Sequence, residues 1–143
     1  MSVRFKSSSQ FCSSQAETIF RACPSGWKQI GLFCYYFSMD KLSWNESRDD
    51  CIIKGAGLLL LKTEEEKEAL ESSLETDRYW IGLKREKDST DNWKWLDGST
   101  MSFGNWKDGE PNNNNKKEDC AESQNGPWND SSCTEKKKYV CKK

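Results

Sequence analysis

Oxygen-bearing side chains concentrate in one stretch of the sequence, between residues 110 and 130. Three short motifs carry them: Glu110-Pro111-Asn112, Glu118-Asp119-Cys120 and Trp128-Asn129-Asp130. Carboxylate and amide oxygens suit Ca²⁺, which takes about 6–8 oxygen ligands, whereas Mg²⁺ keeps more of its waters. Spacing alone does not prove a metal site, because loops rich in Asn and Glu are more often simply solvated. The residue types therefore allow two interpretations, a calcium site and a solvated loop.

The composition excludes several other kinds of chemistry. The sequence contains no histidine, which removes Ser-His-Asp and Cys-His catalysis as well as His-ligated zinc and haem. Its 22 Lys and Arg residues nearly balance 23 Asp and Glu residues, so it lacks the positive field of a general nucleic-acid binder. Seven Trp, six Phe and four Tyr offset a hydrophobic content of only 34%. A chain of 143 residues with this content fits one domain with an aromatic core.

Seven cysteines are spread along the chain, at positions 12, 23, 34, 51, 120, 133 and 141. They form no CxxC pair, which weakens zinc-ribbon and thioredoxin-like interpretations. Scattered cysteines in a small polar domain favour disulfides and an oxidising, extracellular compartment. An odd number leaves one over, and Cys12 is the candidate because it lies in the polar N-terminal stretch. It is either a free thiol or an interchain bridge.

Capping and periodicity predict the elements that must position the oxygen-rich motifs. Ser43 and Thr63, each followed three residues later by Glu, form capping boxes that predict helices to about Lys54 and Leu74. Short aromatic or aliphatic runs predict strands at 34–37, 58–61, 79–83, 93–95 and 139–141. This pattern indicates an α+β domain with an antiparallel sheet. Residues 99–120 form a long loop, of a kind that is usually functional, and Trp106 within it is the tryptophan most expected to be exposed.

The N-terminal segment differs in character from the rest. Residues 1–22 are rich in Ser and aperiodic, so we interpret them as a linker or neck and residues 23–143 as the domain. Residues 1–22 lack the apolar region that a signal peptide needs, and no run of about 18 apolar residues could span a membrane. Disulfides without such segments suggest part of a secreted protein or the ectodomain of a type II membrane protein.

The ordered set of motifs resembles the C-type lectin-like domain in its long form. The resemblance covers residues 23–141 and is carried by Trp80-Ile81-Gly82-Leu83 and the three oxygen-rich motifs, framed by six cysteines. Each motif is weak alone, and their order makes the match specific. The resemblance implies two helices, short-stranded antiparallel sheets, a long calcium-binding loop and a cis Glu110–Pro111 bond. It also implies the disulfides Cys23–Cys34, Cys51–Cys141 and Cys120–Cys133.

By motif, the resemblance implies one sugar-binding Ca²⁺ ion and its ligands. These ligands, which also contact the sugar, are Glu110, Asn112, Glu118, Asn129 and Asp130. Two neighbouring sugar hydroxyls complete the coordination, donate to carboxylates and accept from amides. In the family, Glu-Pro-Asn is associated with mannose, fucose and N-acetylglucosamine, and Gln-Pro-Asp with galactose. The expected activity is therefore calcium-dependent binding of mannose-type glycans, strengthened by homo-oligomerisation through the neck or Cys12.

Some positions depart from the family pattern for a second, structural calcium site. Arg85 stands where a carboxylate is expected and Asn113 where Asp is common, whereas Asp119 matches. An auxiliary calcium ion at Asp119 is therefore an open alternative, with acidic residues between 86 and 91 as candidate substitutes. Separately, Asn45-Glu46-Ser47 is a sequon for N-glycosylation.

Two other functions compete with the lectin interpretation. The same fold serves natural-killer-type receptors for protein ligands, but such relatives usually lose the Glu-Pro-Asn and Trp-Asn-Asp motifs. A glycosidase using Glu110 and Glu118 is disfavoured, because carboxylates bound to Ca²⁺ are poor proton donors. We therefore expect an innate immune lectin or lectin receptor that is not an enzyme.

Overall fold

The computed structural model describes residues 22–113 and 117–143. Residues 1–21, which include Cys12 and nearly all of the interpreted linker, lie outside the described residues. The chain divides into two units, residues 1–34 and residues 35–143. In the first unit, the strand β1 (Lys28–Ile30) lies within the loop closed by the Cys23–Cys34 disulfide. The second unit contains the helices, the sheet and the oxygen-rich motifs.

Both predicted helices are present and begin at the predicted caps. They are α1 (Trp44–Ile53) and α2 (Glu64–Leu74). The Glu46 N–H donates to Ser43 Oγ at 3.2 Å, and the Glu66 N–H donates to Thr63 Oγ1 at 3.1 Å. In each case the Glu side chain returns a bond to the cap backbone, so both capping boxes are complete.

The strands of the second unit form a sheet in the order β2-β8-β4-β6-β7, with β3 paired to β8 and β5 paired to β4. Their bounds are β2 (Phe33–Phe37, starting at the end of the first unit), β3 (Gly57–Leu58), β4 (Arg78–Arg85), β5 (Trp93–Trp95), β6 (Cys120–Gln124), β7 (Trp128–Ser131) and β8 (Lys138–Lys142). Pairing is antiparallel as predicted except between β4 and β8, which run parallel. The sheet is therefore mixed. Between β4 and β8 the chain forms β5, the long loop and the β6–β7 hairpin, and β8 then pairs with β4 in the parallel direction.

The strand predicted at residues 58–61 is shorter than expected. Only Gly57–Leu58 pairs as a strand, although Leu59 still donates to the Val140 carbonyl at 2.9 Å and accepts from the Gly82 N–H at 2.7 Å. The leucines thus fill the space between β8 and β4. A Cβ on Gly82 would lie 2.7 Å from Leu60 Cδ2 and 3.0 Å from the Leu58 carbonyl, so this close approach requires glycine.

Disulfides and aromatic rings hold the sheet together. The three implied bonds are all present, with Cα–Cα distances of 5.6, 5.4 and 5.2 Å for Cys23–Cys34, Cys51–Cys141 and Cys120–Cys133. The core includes the fully buried rings of Trp44, Trp80, Trp93, Trp128 and Tyr139. Within the described part of the chain, neither helix has the length and apolar character needed to cross a membrane.

Candidate functional site

The β6–β7 hairpin is the rigid base on which the oxygen-rich motifs meet. In its register, Glu122 lies opposite Asn129 and Ala121 lies opposite Asp130. The Cys120–Cys133 disulfide joins the start of β6 to the chain just after β7. The Trp-Asn-Asp motif therefore lies on a covalently fixed strand pair.

The loop before β6 is anchored to this base by Trp106. Its indole ring packs on Trp93 with a centroid distance of 4.8 Å and on Trp128 at 5.7 Å. The backbone continues the contact, because the Trp128 N–H donates to the Asn105 carbonyl and the Trp128 carbonyl accepts from Lys107, both at 2.8 Å. The expectation that Trp106 is an exposed tryptophan is wrong, because the long loop folds back and half-buries it.

Three of the five predicted ligands are joined by hydrogen bonds. The Asn112 N–H is shared between Glu110 Oε1 at 3.1 Å and Asp130 Oδ1 at 3.2 Å. The Asn112 side-chain amide also donates to Glu110 Oε2 at 3.4 Å. The Glu110–Pro111 peptide bond is cis, as the resemblance implies. Glu110, Asn112 and Asp130 thus form one contiguous group.

Negative charge accumulates in this group. Partial burial, together with the hydrogen bond and charge of Asp130 and the charge of Glu118, raises the pKa of Glu110 to about 7. Like charges held this close disfavour simultaneous ionisation. A cation bound between these carboxylates would relieve the repulsion.

Glu118 reaches the group through the end of the loop. Its backbone N–H donates to Asn113 Oδ1 at 3.1 Å, and the Asn113 N–H donates to Asp130 Oδ2 at 2.7 Å. Asn113 has a positive φ of 48°, a conformation that Asn tolerates better than most residues. Residues 114–116 lie outside the described residues.

Asn129, the fifth predicted ligand, bonds to a residue that sequence reasoning did not identify. Its side-chain N–H donates to Glu122 Oε2 at 2.8 Å across the β6–β7 pair. Glu122 is fully buried and also accepts from Arg78 Nε at 2.9 Å and Arg78 Nη2 at 2.6 Å, with Lys137 Nζ at 3.5 Å. Burial alone would raise the pKa of Glu122. Arg78, Asn129 and Lys137 lower it by more than burial raises it, so the pKa lies below its ordinary value.

The donor set agrees with a hard cation such as calcium. The predicted ligands comprise three carboxylates and two amides, with neither sulfur nor imidazole. Among the described residues, no group of three or more His, Cys, Asp or Glu side chains is arranged to hold a metal ion. A cation here would need the asparagine oxygens as well, and Asn129 uses its N–H, not its oxygen, in the bond to Glu122.

Comparison with known proteins assigns the family. The family model described as the lectin C-type domain matches residues 40–143. The chain belongs to the C-type lectin domain family. This family is a carbohydrate-recognition module whose members generally bind Ca²⁺, and it is not an enzyme family.

Individual relatives agree with this C-type lectin assignment. The CD209 antigen-like protein A of Mus musculus is 42% identical over 132 residues, covering 89% of this chain and 54% of the relative, so the chain spans about half the length of that relative. The mouse scavenger receptor C-type lectin carbohydrate-recognition domain superposes with a TM-score of 0.78 at 34% identity, covering 85% of this chain and 98% of that domain. The cow CD23 carbohydrate-recognition domain, solved in the presence of a GlcNAc2Man3 oligosaccharide, gives a TM-score of 0.76 at 29% identity, covering 85% and 95% of the two chains.

Proposed function

We propose that this C-type lectin domain binds mannose, fucose or N-acetylglucosamine residues of glycans through one Ca²⁺ ion. The proposed ligands of the ion, and the residues that contact the sugar, are Glu110, Asn112, Glu118, Asn129 and Asp130. The observation that carries the proposal is the shared Asn112 N–H, which ties Glu110 to Asp130 at 3.1 and 3.2 Å. It supports a single compact oxygen set drawn from the loop and from β7.

The protein side chains have distinct tasks in this recognition. Bound calcium supplies a positive charge with coordination positions left for two neighbouring sugar hydroxyls. Glu110 accepts a hydrogen bond from one hydroxyl, and Asn112 donates to the oxygen of the same hydroxyl. Asn129, with one amide N–H engaged by Glu122, can donate the other to the second hydroxyl. The order of acceptor and donor along the sugar therefore depends on residues 110 and 112.

The CD23 domain solved in the presence of GlcNAc2Man3 supports a glycan containing mannose and N-acetylglucosamine as the ligand class. The disulfides support an oxidising environment, so we propose that the domain works outside the cell, in a secreted protein or as the ectodomain of a type II membrane protein. Homo-oligomerisation through the neck or Cys12 stays a prediction, as do a protein ligand and a glycan on Asn45. Asn45 is exposed on α1.

The double substitution Glu110→Gln with Asn112→Asp tests the sugar preference. It exchanges acceptor and donor at the first hydroxyl, so binding to mannose structures should fall and binding to galactose structures should rise. The assay is a glycan array with the wild type and the variant, each in calcium and in EDTA. Asp108→Asn, an exposed carboxylate in the same loop, is the matched control and should retain mannose binding. Mannose binding that survives EDTA in the wild type, or unchanged selectivity in the double variant, would contradict the proposal.

A further inference from the structure

A buried arginine lies beside the proposed calcium ligands, at the end of β4. The Arg85 side chain is 4% exposed. Its guanidinium donates through Nε to Asp119 Oδ1 at 3.1 Å, through Nη1 to the Thr90 carbonyl, and through Nη2 to the Glu118 carbonyl at 2.7 Å and Asp130 Oδ2 at 2.9 Å. One side chain thus ties β4 to the loop between β4 and β5, to the end of the long loop and to β7.

The surroundings of this guanidinium have the chemistry of a cation site. Two carboxylates and two backbone carbonyls converge on it, which is the mixed oxygen set that Ca²⁺ takes in proteins. The Trp93 ring lies 4.5 Å from Arg85 Cζ and closes another side by a cation–π contact. An arginine fork satisfies such oxygens with fixed geometry and stays charged at all ordinary pH values.

A second, structural calcium ion does not fit these residues. The carboxylate expected at position 85 is replaced by a permanent cation. At position 113, where Asp is common, the Asn113 side-chain oxygen accepts a hydrogen bond from the Glu118 N–H. Asp119, which matches the expected set, is paired with Arg85, and Glu86, a candidate substitute, is paired with Lys94 at 3.7 Å. An ion placed among the same oxygens would be repelled by the guanidinium, whose burial leaves little solvent to screen the repulsion.

We propose that the Arg85 guanidinium replaces a second calcium ion, so that the domain binds a single Ca²⁺ and keeps Glu118, Asp119 and Asp130 in place without metal. This inference rests on the proposed function for the calcium stoichiometry, but its structural part stands by itself. Arg85 is a positioning residue, since it acts through Asp130 and the Glu118 backbone. A fully buried carboxylate such as Asp130 requires a charged partner, and Arg85 supplies one at any calcium concentration.

The first experiment counts ions. Calorimetric titration of the wild-type domain with CaCl₂ should give one ion per chain, and the calcium dependence of mannose binding should have a Hill coefficient of 1. Two ions per chain would overturn the inference while leaving the proposed function intact. Failure to bind any calcium would overturn the proposed function, and the inference would then be decided by the loop measurement.

That second experiment measures the loop in EDTA, where calcium plays no part. Lys117 places a trypsin site directly before Glu118, whose carbonyl accepts from Arg85, and the wild type should resist cleavage there. Arg85→Met removes the charge and the donors at similar length, and should be cleaved at least about tenfold faster. Arg85→Lys keeps the charge without the fork and should be intermediate. Equal cleavage rates for the wild type and Arg85→Lys, and for Arg85→Met where it folds, would refute the loop-holding role.

Calcium affinity provides the remaining readout. Residues that orient metal ligands typically contribute about 10–100-fold in affinity, and we expect a loss in this range for Arg85→Met and a smaller loss for Arg85→Lys. Arg48→Met is the matched control, because Arg48 lies on α1, pairs with Asp49 and contacts the Trp44 ring at 5.8 Å. Its affinity should equal that of the wild type. An unchanged affinity in the folded Arg85 variants would contradict the positioning role.

Discussion

Replacing the buried Glu122 by methionine should weaken calcium and sugar binding, although it leaves every proposed ligand residue unchanged. Methionine has nearly the same length but accepts no strong hydrogen bond. The Asn129 amide then loses the acceptor that holds its N–H at 2.8 Å, and its oxygen and nitrogen can exchange positions. A donor instead of an oxygen would face the cation in the exchanged conformer.

Two magnitudes follow from the contacts of Glu122. Loss of an orienting partner typically lowers metal affinity by about 10–100-fold. Breaking a buried pair costs about 3–5 kcal/mol of unfolding free energy, but here Arg78 can regain water and Lys137 keeps Glu135 at 3.0 Å. We therefore expect a loss of about 2–3 kcal/mol, which lowers Tm by about 6–9 °C for a domain of this size.

The assay separates the two effects by temperature. Calcium and mannose titrations at 10 °C, where the variant is folded, measure affinity, and thermal unfolding in EDTA measures stability. Glu135→Met is the matched control, because it removes an exposed carboxylate from Lys137 and makes no contact with Asn129. Glu122→Gln retains an acceptor oxygen and should be milder than Glu122→Met. If Glu122→Met is destabilised but binds calcium within twofold of the wild type, the orienting role is refuted.

Two further predictions concern the loop and the acid limit of stability. Trp106→Ala removes the ring packed at 4.8 Å on Trp93, so the free energy of unfolding, measured by denaturation, should fall by about 2–3 kcal/mol. Calcium affinity, measured by titration, should fall with it. An unchanged affinity would show that the site does not need this anchor. Burial raises the pKa of Asp50, but hydrogen bonds from Lys54 and Tyr139 lower it below its ordinary value of 3.8. The ionised Asp50 therefore stabilises the fold above pH 3.8, and this stabilisation is lost as the pH falls through the pKa of the folded state. Asp50→Asn should therefore be less stable than the wild type at pH 7 and flatten the acid limb of the stability curve below about pH 4, and parallel curves would contradict this assignment.

The sequence was most informative where a local pattern has one physical solution. Ser43 and Thr63 each have Glu three residues later, and both capping boxes form as predicted. The disulfide pairing required the family resemblance, because spacing alone leaves several pairings open. The strand at residues 58–61 was overestimated, since an apolar run indicates burial and does not indicate how many residues will find a pairing partner.

The supports of the site were harder to predict than its proposed ligands. Glu122 lies in a strand whose sequence, Cys-Ala-Glu-Ser-Gln, carries no alternation that would predict burial. A buried carboxylate becomes plausible only when Arg78, Lys137 and Asn129, distant in sequence, are known to surround it. Arg85 departs from the family pattern in sequence, but its four oxygen partners come from segments that only the fold brings together.

Each of the two proposed ligands on β7 is held by a buried charged residue. Glu122 on β6 holds the amide of Asn129, and Arg85 on β4 holds the carboxylate of Asp130. Neither contact needs a metal, so we expect this half of the proposed site to be formed before calcium binds. The loop half, with Glu110 and Asn112, is joined to it through Asp130. Substitutions at positions 85 and 122 should therefore change affinity for all sugars alike, whereas substitutions at positions 110 and 112 should change which sugar is preferred.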